Sequence, residues 1–251
     1  MELANRVVIV TGAGSGIGAA LARAFTQRGT AHVAVVDIDG DAAAEVAAEI
    51  GGSAHQLDAA DEMAVVNLVT RVTEENGPID VMCANAGIAV PGGLEAGDEA
   101  WQRSWDVNVM SQVYAARAVL PSMLERGEGS LLLTASAAGV TTSLDTAPYA
   151  VTKHASVALA EWLAITYGDR GIQVSCLAPQ FVDTAMGRLA GETPAAAEWA
   201  RDIMIGPEEV AEAAVEGLQA GHFLIVPHPE VAEYFQNKAG DYDRWLAGMR
   251  R

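Results

Sequence analysis

Basic residues are scarce in this chain: 15 lysines and arginines stand against 33 aspartates and glutamates, a formal net charge of −18 over 251 residues. Phosphodiester backbones and anionic lipid surfaces are held by positive patches, so neither nucleic acid nor membrane is an expected partner. Cysteine is scarcer still. Cys83 and Cys176 each lie inside an apolar run, "IDVMCANAG" and "IQVSCLAP", and read as reduced, buried small hydrophobes rather than as a disulfide framework. The five histidines are scattered, with no pair at metal-ligand spacing and no CxxC beside them, so no metal is expected. No stretch joins a charged start to a long apolar core, and none is long enough to cross a bilayer; a cytoplasmic location is the expectation.

What the chain does have is apolar residues, 51% of the total, arranged as short β-branched runs alternating with helical patterns. "RVVIVTG" is followed by "IGAALARAFTQRG", and "HVAVVDI" by "DAAAEVAAEI". Further on, "IDVMCANAG", "GSLLLTAS", "IQVSCLAP" and "HFLIVP" alternate with helices expected over about 98–126, 148–167 and 207–220. Near-continuous apolar strands separated by helices imply a parallel sheet covered on both faces. The expected fold is therefore α/β: a single doubly wound Rossmann-type domain over 1–251, with a parallel sheet of about seven strands. A substrate lid is expected at about 180–206 and a polar, helical C-terminal tail at about 227–251.

Between the first strand and first helix, "VTGAGSGIGAA" sets Gly12, Gly16 and Gly18. Glycines there let the backbone turn sharply and approach a pyrophosphate, whose charge sits at the helix N-terminus. The spacing is G-x-x-x-G-x-G, with Ile17 breaking the more familiar pattern, and alone it is a weak signal. Asp37 ends the second strand of the same βαβ unit. Its carboxylate can accept hydrogen bonds from both adenosine ribose hydroxyls and would repel a 2′-phosphate, while neither Ser15 nor Ile38 is basic. NAD rather than NADP is the expected cofactor.

In "APYAVTKHAS", Tyr149 and Lys153 lie four apart, on one face of a helix. A free tyrosine has a pKa of about 10, too high for a base near neutrality. Lowering it by about three units needs roughly 4 kcal/mol, which a nearby ammonium and a cationic nicotinamide can supply in a partly desolvated site.

"TGAGSGIG", "ANAG" at 84–87, Asn108, Ser136 and "YAVTK" occur in the order and spacing of the single-domain short-chain dehydrogenases/reductases, and the chain resembles that family over about residues 5–225. The resemblance implies hydride transfer between a secondary alcohol and NAD. It makes Tyr149 the acid/base, Ser136 the residue holding the substrate oxygen, Lys153 the cation that also reaches the nicotinamide ribose, and Asn108 the residue ordering a water that links Lys153 to solvent. It further implies cofactor contacts from Gly12, Ser15, Gly16, Ile17, Gly18, Asp37 and Ile38. Asp58 matches the acidic residue meeting the adenine amino group, Asn85, Ala86 and Gly87 the turn under the adenosine ribose, and Pro179, Val182 and Thr184 the segment seating the carboxamide. Where the family usually has Pro-Gly, this chain has Pro179-Gln180. Either the turn avoids positive φ or Gln180 adds a polar group beside the nicotinamide.

The long loop supplies Met186, Leu189, Trp199, Ile203 and Met204, which suit a hydrophobic secondary alcohol or ketone and would equally pack the lid onto the sheet. Asp145 is the loop acid placed either to meet a polar substrate group or to remain solvated. "VNVMSQVYAARAVLPSML" and "YAVTKHASVALAEWLAITY" are apolar nearly all round, which predicts a homodimer or homotetramer built on that pair. Two other functions remain open: an isomerase or dehydratase retaining its cofactor, and a non-catalytic dinucleotide sensor.

Overall fold

In the computed structural model, the described residues are 1–144, 146–189, 200 and 202–250. Two expected site positions, Asp145 and Trp199, lie outside them, as does the side chain of Leu189.

Seven parallel strands form one sheet in the order β3-β2-β1-β4-β5-β6-β7. They are β1 (Val7–Thr11), β2 (His32–Asp37), β3 (Ser53–Gln56), β4 (Val81–Ala84), β5 (Gly129–Thr134), β6 (Ile172–Leu177) and β7 (Leu224–Ile225). The β-branched and leucine-rich runs alternate across this sheet with period two. Val8, Val10, Val35 and Leu132 enter the core on one face, and Val7, Ile9, Val36, Leu131 and Leu133 enter the core on the other. Cys83 and Cys176 are buried in opposite cores. Burial pushes both thiols up, Cys176 to about 12.

Helices α1 (Gly16–Gln27), α2 (Gly40–Ile50) and α8 (Pro207–Ala220) cover the first face; α3 (Glu62–Asn76), α5 (Ser111–Arg126) and α7 (Ala147–Tyr167) cover the second. Local chemistry sets their ends. Asp39 and Asp61 cap α2 and α3 by accepting from backbone N–H groups of the first turn, and Gly51, Gly127 and Gly221 end α2, α5 and α8 in the left-handed conformation.

The single helix expected over 98–126 is interrupted. Helix α4 (Asp98–Trp105) passes into a π-helical segment at Asp106–Met110, and α5 follows. Asn108, at the centre of that segment, is fully buried. The expected loop after β5 contains a one-turn helix, α6 (Ala137–Val140). The last strand is only two residues long, and the tail forms two helices, α9 (Pro229–Gly240) and α10 (Tyr242–Met249). No described helix is long and apolar enough to cross a membrane.

Strand order reverses between β1 and β4, so the crevice for a ligand opens at the C-terminal ends of these two strands. The loops beginning at Gly12 and Asn85 form its sides.

Candidate functional site

The glycine loop is tied closely to its surroundings. Gly12 has φ +64°, and a Cβ there would stand 2.9 Å from Ala86 Cα; a Cβ on Gly18 would stand 2.0 Å from the Gly12 carbonyl oxygen. Neither position can carry a side chain without moving backbone, which explains the motif in steric terms. Ser15 precedes α1, whose first turn carries no acidic residue to compete for its N-terminal partial charge. Asp37 Oδ2 accepts from Gly14 N–H at 2.8 Å and Oδ1 from Asp39 N–H at 3.0 Å. The carboxylate is thus held at the edge of the loop, beside the exposed Ile38. These features fit a dinucleotide: close backbone approach, a free helix N-terminus and a fixed ribose acceptor.

Asn85 staples the three central strands. Its Nδ2 donates to the carbonyls of Thr11 (3.0 Å) and Gly12 (3.3 Å), and its Oδ1 accepts from Thr134 Oγ1 at 3.0 Å. Thr11 Oγ1 in turn accepts from the N–H groups of Asn85 and Ala86. Asp58 lies further out, paired with Arg103 of α4 at 3.0 Å. On the opposite side, a Cβ on Gly16 would be 3.1 Å from Thr184 Cγ2, so the Val182–Thr184 segment lies directly over the loop. Val182 is buried and bridged to Ile205.

Ser136, Tyr149 and Lys153 come together at the ends of β5 and α7. Ser136 caps α6, its Oγ accepting from Ala138 N–H at 3.1 Å. Tyr149 is half-buried. Burial raises its phenol above the ordinary value, and a hydrogen bond with the Ser136 hydroxyl opposes that rise. Lys153 is buried, with Nζ 5.5 Å from the Tyr149 ring centre and donating to the Thr134 carbonyl at 2.8 Å. Burial draws its ammonium down to about 8. In the protein alone desolvation prevails at the phenol, and the Ser136 hydroxyl is the group that opposes it.

Asn108 Oδ1 and Lys153 Nζ each stand 3.3 Å from where a Cβ on Gly87 would lie, so Gly87 leaves room for both. The Asn108 side chain is occupied: it accepts from Ile88 N–H (2.8 Å) and donates to the Ile88 carbonyl (2.9 Å) and Thr152 Oγ1 (3.0 Å). It is not a helix cap but a clasp between α7 and the turn after β4.

At Pro179-Gln180 the turn avoids positive φ. Asn5 is the only described non-glycine residue with positive φ, so the turn at Gln180 does not require glycine. Gln180 N–H donates to His228 Nδ1 at 3.1 Å, which leaves the proton on Nε2 to bond the Phe181 carbonyl at 3.0 Å. The Pro179 carbonyl accepts from Ala137 N–H at 2.8 Å, joining this turn to α6.

Several contributors carry no sequence signal. The Thr134 carbonyl, which also accepts from Gln112 Nε2 at 3.2 Å, is backbone. His228 lies in a tail whose polar composition resembles any solvated helix. A lone histidine before Pro229 does read as a helix start, but not as a clamp on a turn 48 residues earlier.

Known proteins resemble this chain in sequence and in fold. The family described as short chain dehydrogenase matches residues 6–195. A 1-deoxy-11-beta-hydroxypentalenate dehydrogenase of Streptomyces exfoliatus is 37% identical across 98% of this chain and 92% of its own. A D-threitol dehydrogenase of Mycolicibacterium smegmatis is 34% identical across 85% of this chain and 86% of its own. A short chain dehydrogenase/reductase from Burkholderia phymatum, solved in complex with NAD, superposes with TM-score 0.85 and 26% identity over 97% of this chain and 96% of that one. With its parallel seven-stranded sheet, glycine loop and Ser136–Tyr149–Lys153 cluster, this chain belongs to the short-chain dehydrogenase/reductase family of oxidoreductases.

Proposed function

We propose that the protein is an NAD-dependent oxidoreductase interconverting a hydrophobic secondary alcohol and its ketone, with Tyr149 as the acid/base. The observation that carries this reading is the meeting of Tyr149 with Ser136 and a buried Lys153 that has no carboxylate partner among the described residues. NAD, when bound, supplies the hydride acceptor. The tyrosine starts protonated, as ketone reduction requires, and donates that proton to the nascent alkoxide. In the oxidative direction the phenol must first give up its proton, and the Lys153 ammonium is the resident cation that favours the phenolate. Ser136 orients the substrate oxygen towards Tyr149. Asn108 fixes α7 against the turn at Ile88, and the second lone pair of its Oδ1 would hold the water through which Lys153 exchanges protons with solvent.

The cofactor would be held by the loop of Gly12, Ser15, Gly16, Ile17 and Gly18, by Asp37 at the adenosine ribose with Ile38 beside it, and by Asp58 at the adenine. Asn85, Ala86 and Gly87 would lie under the ribose, and Pro179, Val182 and Thr184 at the carboxamide. Asp39 and Asp41 follow Asp37, so the charge of this segment is negative and unfavourable to a 2′-phosphate, which supports NAD over NADP. The named relatives act on alcohols, a hydroxypentalenate and D-threitol.

The chain acts as one domain and as a homodimer or homotetramer. Val151, Trp162 and Ile165 leave 49%, 56% and 84% of their surface exposed along the outer side of α7, and a second copy would cover them. A cytoplasmic site of action suits its reduced, buried thiols.

The test mixes purified protein with NAD and aromatic, alicyclic and hydroxy-acyl secondary alcohols and follows NADH absorbance. Turnover is expected to fall by at least about 100-fold in Tyr149→Phe, with the Kd for NAD little changed. Turnover surviving that substitution, or NADP accepted as well as NAD, would overturn the corresponding part of the reading.

A further inference from the structure

Two lysines of this chain bury their ammonium groups: Lys153, 3% exposed, and Lys238, 7% exposed. Among the described residues neither has a carboxylate partner, although nine side-chain ion pairs form elsewhere. Lys153 belongs to the catalytic cluster. Lys238 belongs to α9 and has no part in it.

The Lys238 ammonium uses all three protons. It donates to the carbonyls of Val140 (3.0 Å) and Thr141 (2.6 Å), at the end of α6, and to His154 Nε2 (3.2 Å). His154 Nδ1 bonds the Ala150 carbonyl at 2.8 Å, so its proton is on Nδ1 and Nε2 is free to accept. The rings of Tyr242 and Trp245 close over the cation, 5.6 and 5.2 Å from Nζ to the ring centres. Carbonyls, an imidazole and two π faces satisfy its hydrogen bonds and offset part of its desolvation, but they leave a whole positive charge uncancelled.

That charge borders a cavity of about 360 Å3 between α10 and the loop after α6, within the usual range of about 300–1,000 Å3 for small-molecule sites. Leu144, Leu246 and Met249 give it apolar walls beside the two rings. The remaining charged residue among the described lining is Arg250, which has no ion pair among the described residues, and no aspartate or glutamate is among the described residues that line the space. In a chain with more than twice as many acidic as basic residues, a cavity whose described charged neighbours are all cations runs against the protein's net charge. Ser136, Tyr149 and Lys153 are not among its walls.

We propose that this cavity is a binding site for a small apolar carboxylate, its ring or chain against Leu144, Leu246, Met249 and the aromatic pair, and its charge against Arg250 and the field of Lys238. An uncharged molecule of the same shape would gain the apolar contact alone.

The proposal goes beyond the catalytic reading and is tested without NAD. Isothermal titration calorimetry compares cyclohexanecarboxylate with cyclohexanecarboxamide. The acid is expected to saturate one site at least about tenfold more tightly than the amide, which corresponds to about 1.4 kcal/mol. Arg250→Gln should weaken the acid by about three- to tenfold, as the loss of one charge-assisted contact does, and leave the amide unchanged. Lys238→Met should remove the remaining preference for the acid. If that variant fails to fold by circular dichroism, Arg250→Gln, at the surface, carries the test alone. Tyr149→Phe should bind the acid as the parent does. No saturable binding, equal binding of acid and amide, indifference to Arg250→Gln, or loss of binding in Tyr149→Phe would each overturn the proposal, and none of them bears on whether Tyr149 turns over an alcohol.

Discussion

At the N-terminal ends of β1 and β4, Asp80 is buried with Oδ1 3.1 Å from both Arg6 and Arg126 and with Oδ2 accepting from Val7 N–H at 2.9 Å. At the C-terminal end of the same sheet Lys153 is equally buried, and its ammonium meets a carbonyl oxygen and the face of a tyrosine ring. The first charge is surrounded by opposite charge, and the second is not. A buried carboxylate with two guanidinium partners and a backbone donor is a closed network that joins strand ends and has no capacity left for a ligand. A buried ammonium without a counter-charge is held at an energetic disadvantage by the rest of the fold, and such groups gather where chemistry needs a shifted pKa. The sheet therefore has a structural end and a reactive end, distinguishable by which charges are neutralised.

The widest separation between the two ends should come from Asp80→Ala. Removing the carboxylate leaves Arg6 and Arg126 with only Glu128, at 3.3 and 3.8 Å, as a shared partner. A destabilisation of about 3 kcal/mol is expected by urea denaturation, with turnover per folded molecule unchanged. Turnover falling in proportion to stability would mean that the two ends are not separable.

Lys153→Met should act in the opposite sense. The ammonium titrates near 8 in the folded protein against 10.5 for a free lysine. Between these values the unfolded chain holds a proton that the folded chain has released, so this group's contribution to stability rises with pH across the window. Below about pH 8 the burial penalty is present in full. At pH 7 the variant is expected to be about 1–3 kcal/mol more stable than the parent, with the gain fading as pH rises from about 8 to 10.5, and turnover is expected to be lost. A variant less stable at pH 7 would show that the bond to the Thr134 carbonyl outweighs desolvation.

The reactive end was also the more legible one. Its strand-loop-helix units are local, and a residue's placement there follows from its position at a strand end or a helix start, as with Gly12, Asp37, Ser136 and Tyr149. Helix α8 was read with the bounds it has, because Pro207 starts it and Gly221 stops it. The π-helical segment around Asn108 left no trace, since "WDVNVMSQ" continues an ordinary helical pattern and the irregularity comes from clasping Ile88 and Thr152 across the fold. The tail read as generic polar helix for a similar reason. Lys238 and His228 are ordinary residues for such a helix, and only packing against α6 and the Gln180 turn buries them. Long-range desolvation is not visible in a sequence read window by window.

The smallest expected effect belongs to a third group at the reactive end. Gln180 Oε1 is buried without a hydrogen-bond partner among the described residues, and an unsatisfied buried acceptor costs about 1–3 kcal/mol. Its backbone N–H is held by His228, so Gln180→Ala keeps that clamp while removing the orphaned oxygen. Stability should change by less than about 1 kcal/mol, because the acceptor relieved is offset by the volume lost. NAD affinity, by contrast, should fall about three- to tenfold, the worth of one hydrogen bond formed only when a donor arrives. The two measurements together decide what this oxygen is for. A more stable variant with unchanged NAD affinity would make Gln180 a packing residue whose unsatisfied amide has no ligand to meet. A variant of parental stability with weakened NAD binding would place Gln180 with Lys153, among groups left incomplete in the protein and completed by what binds to it.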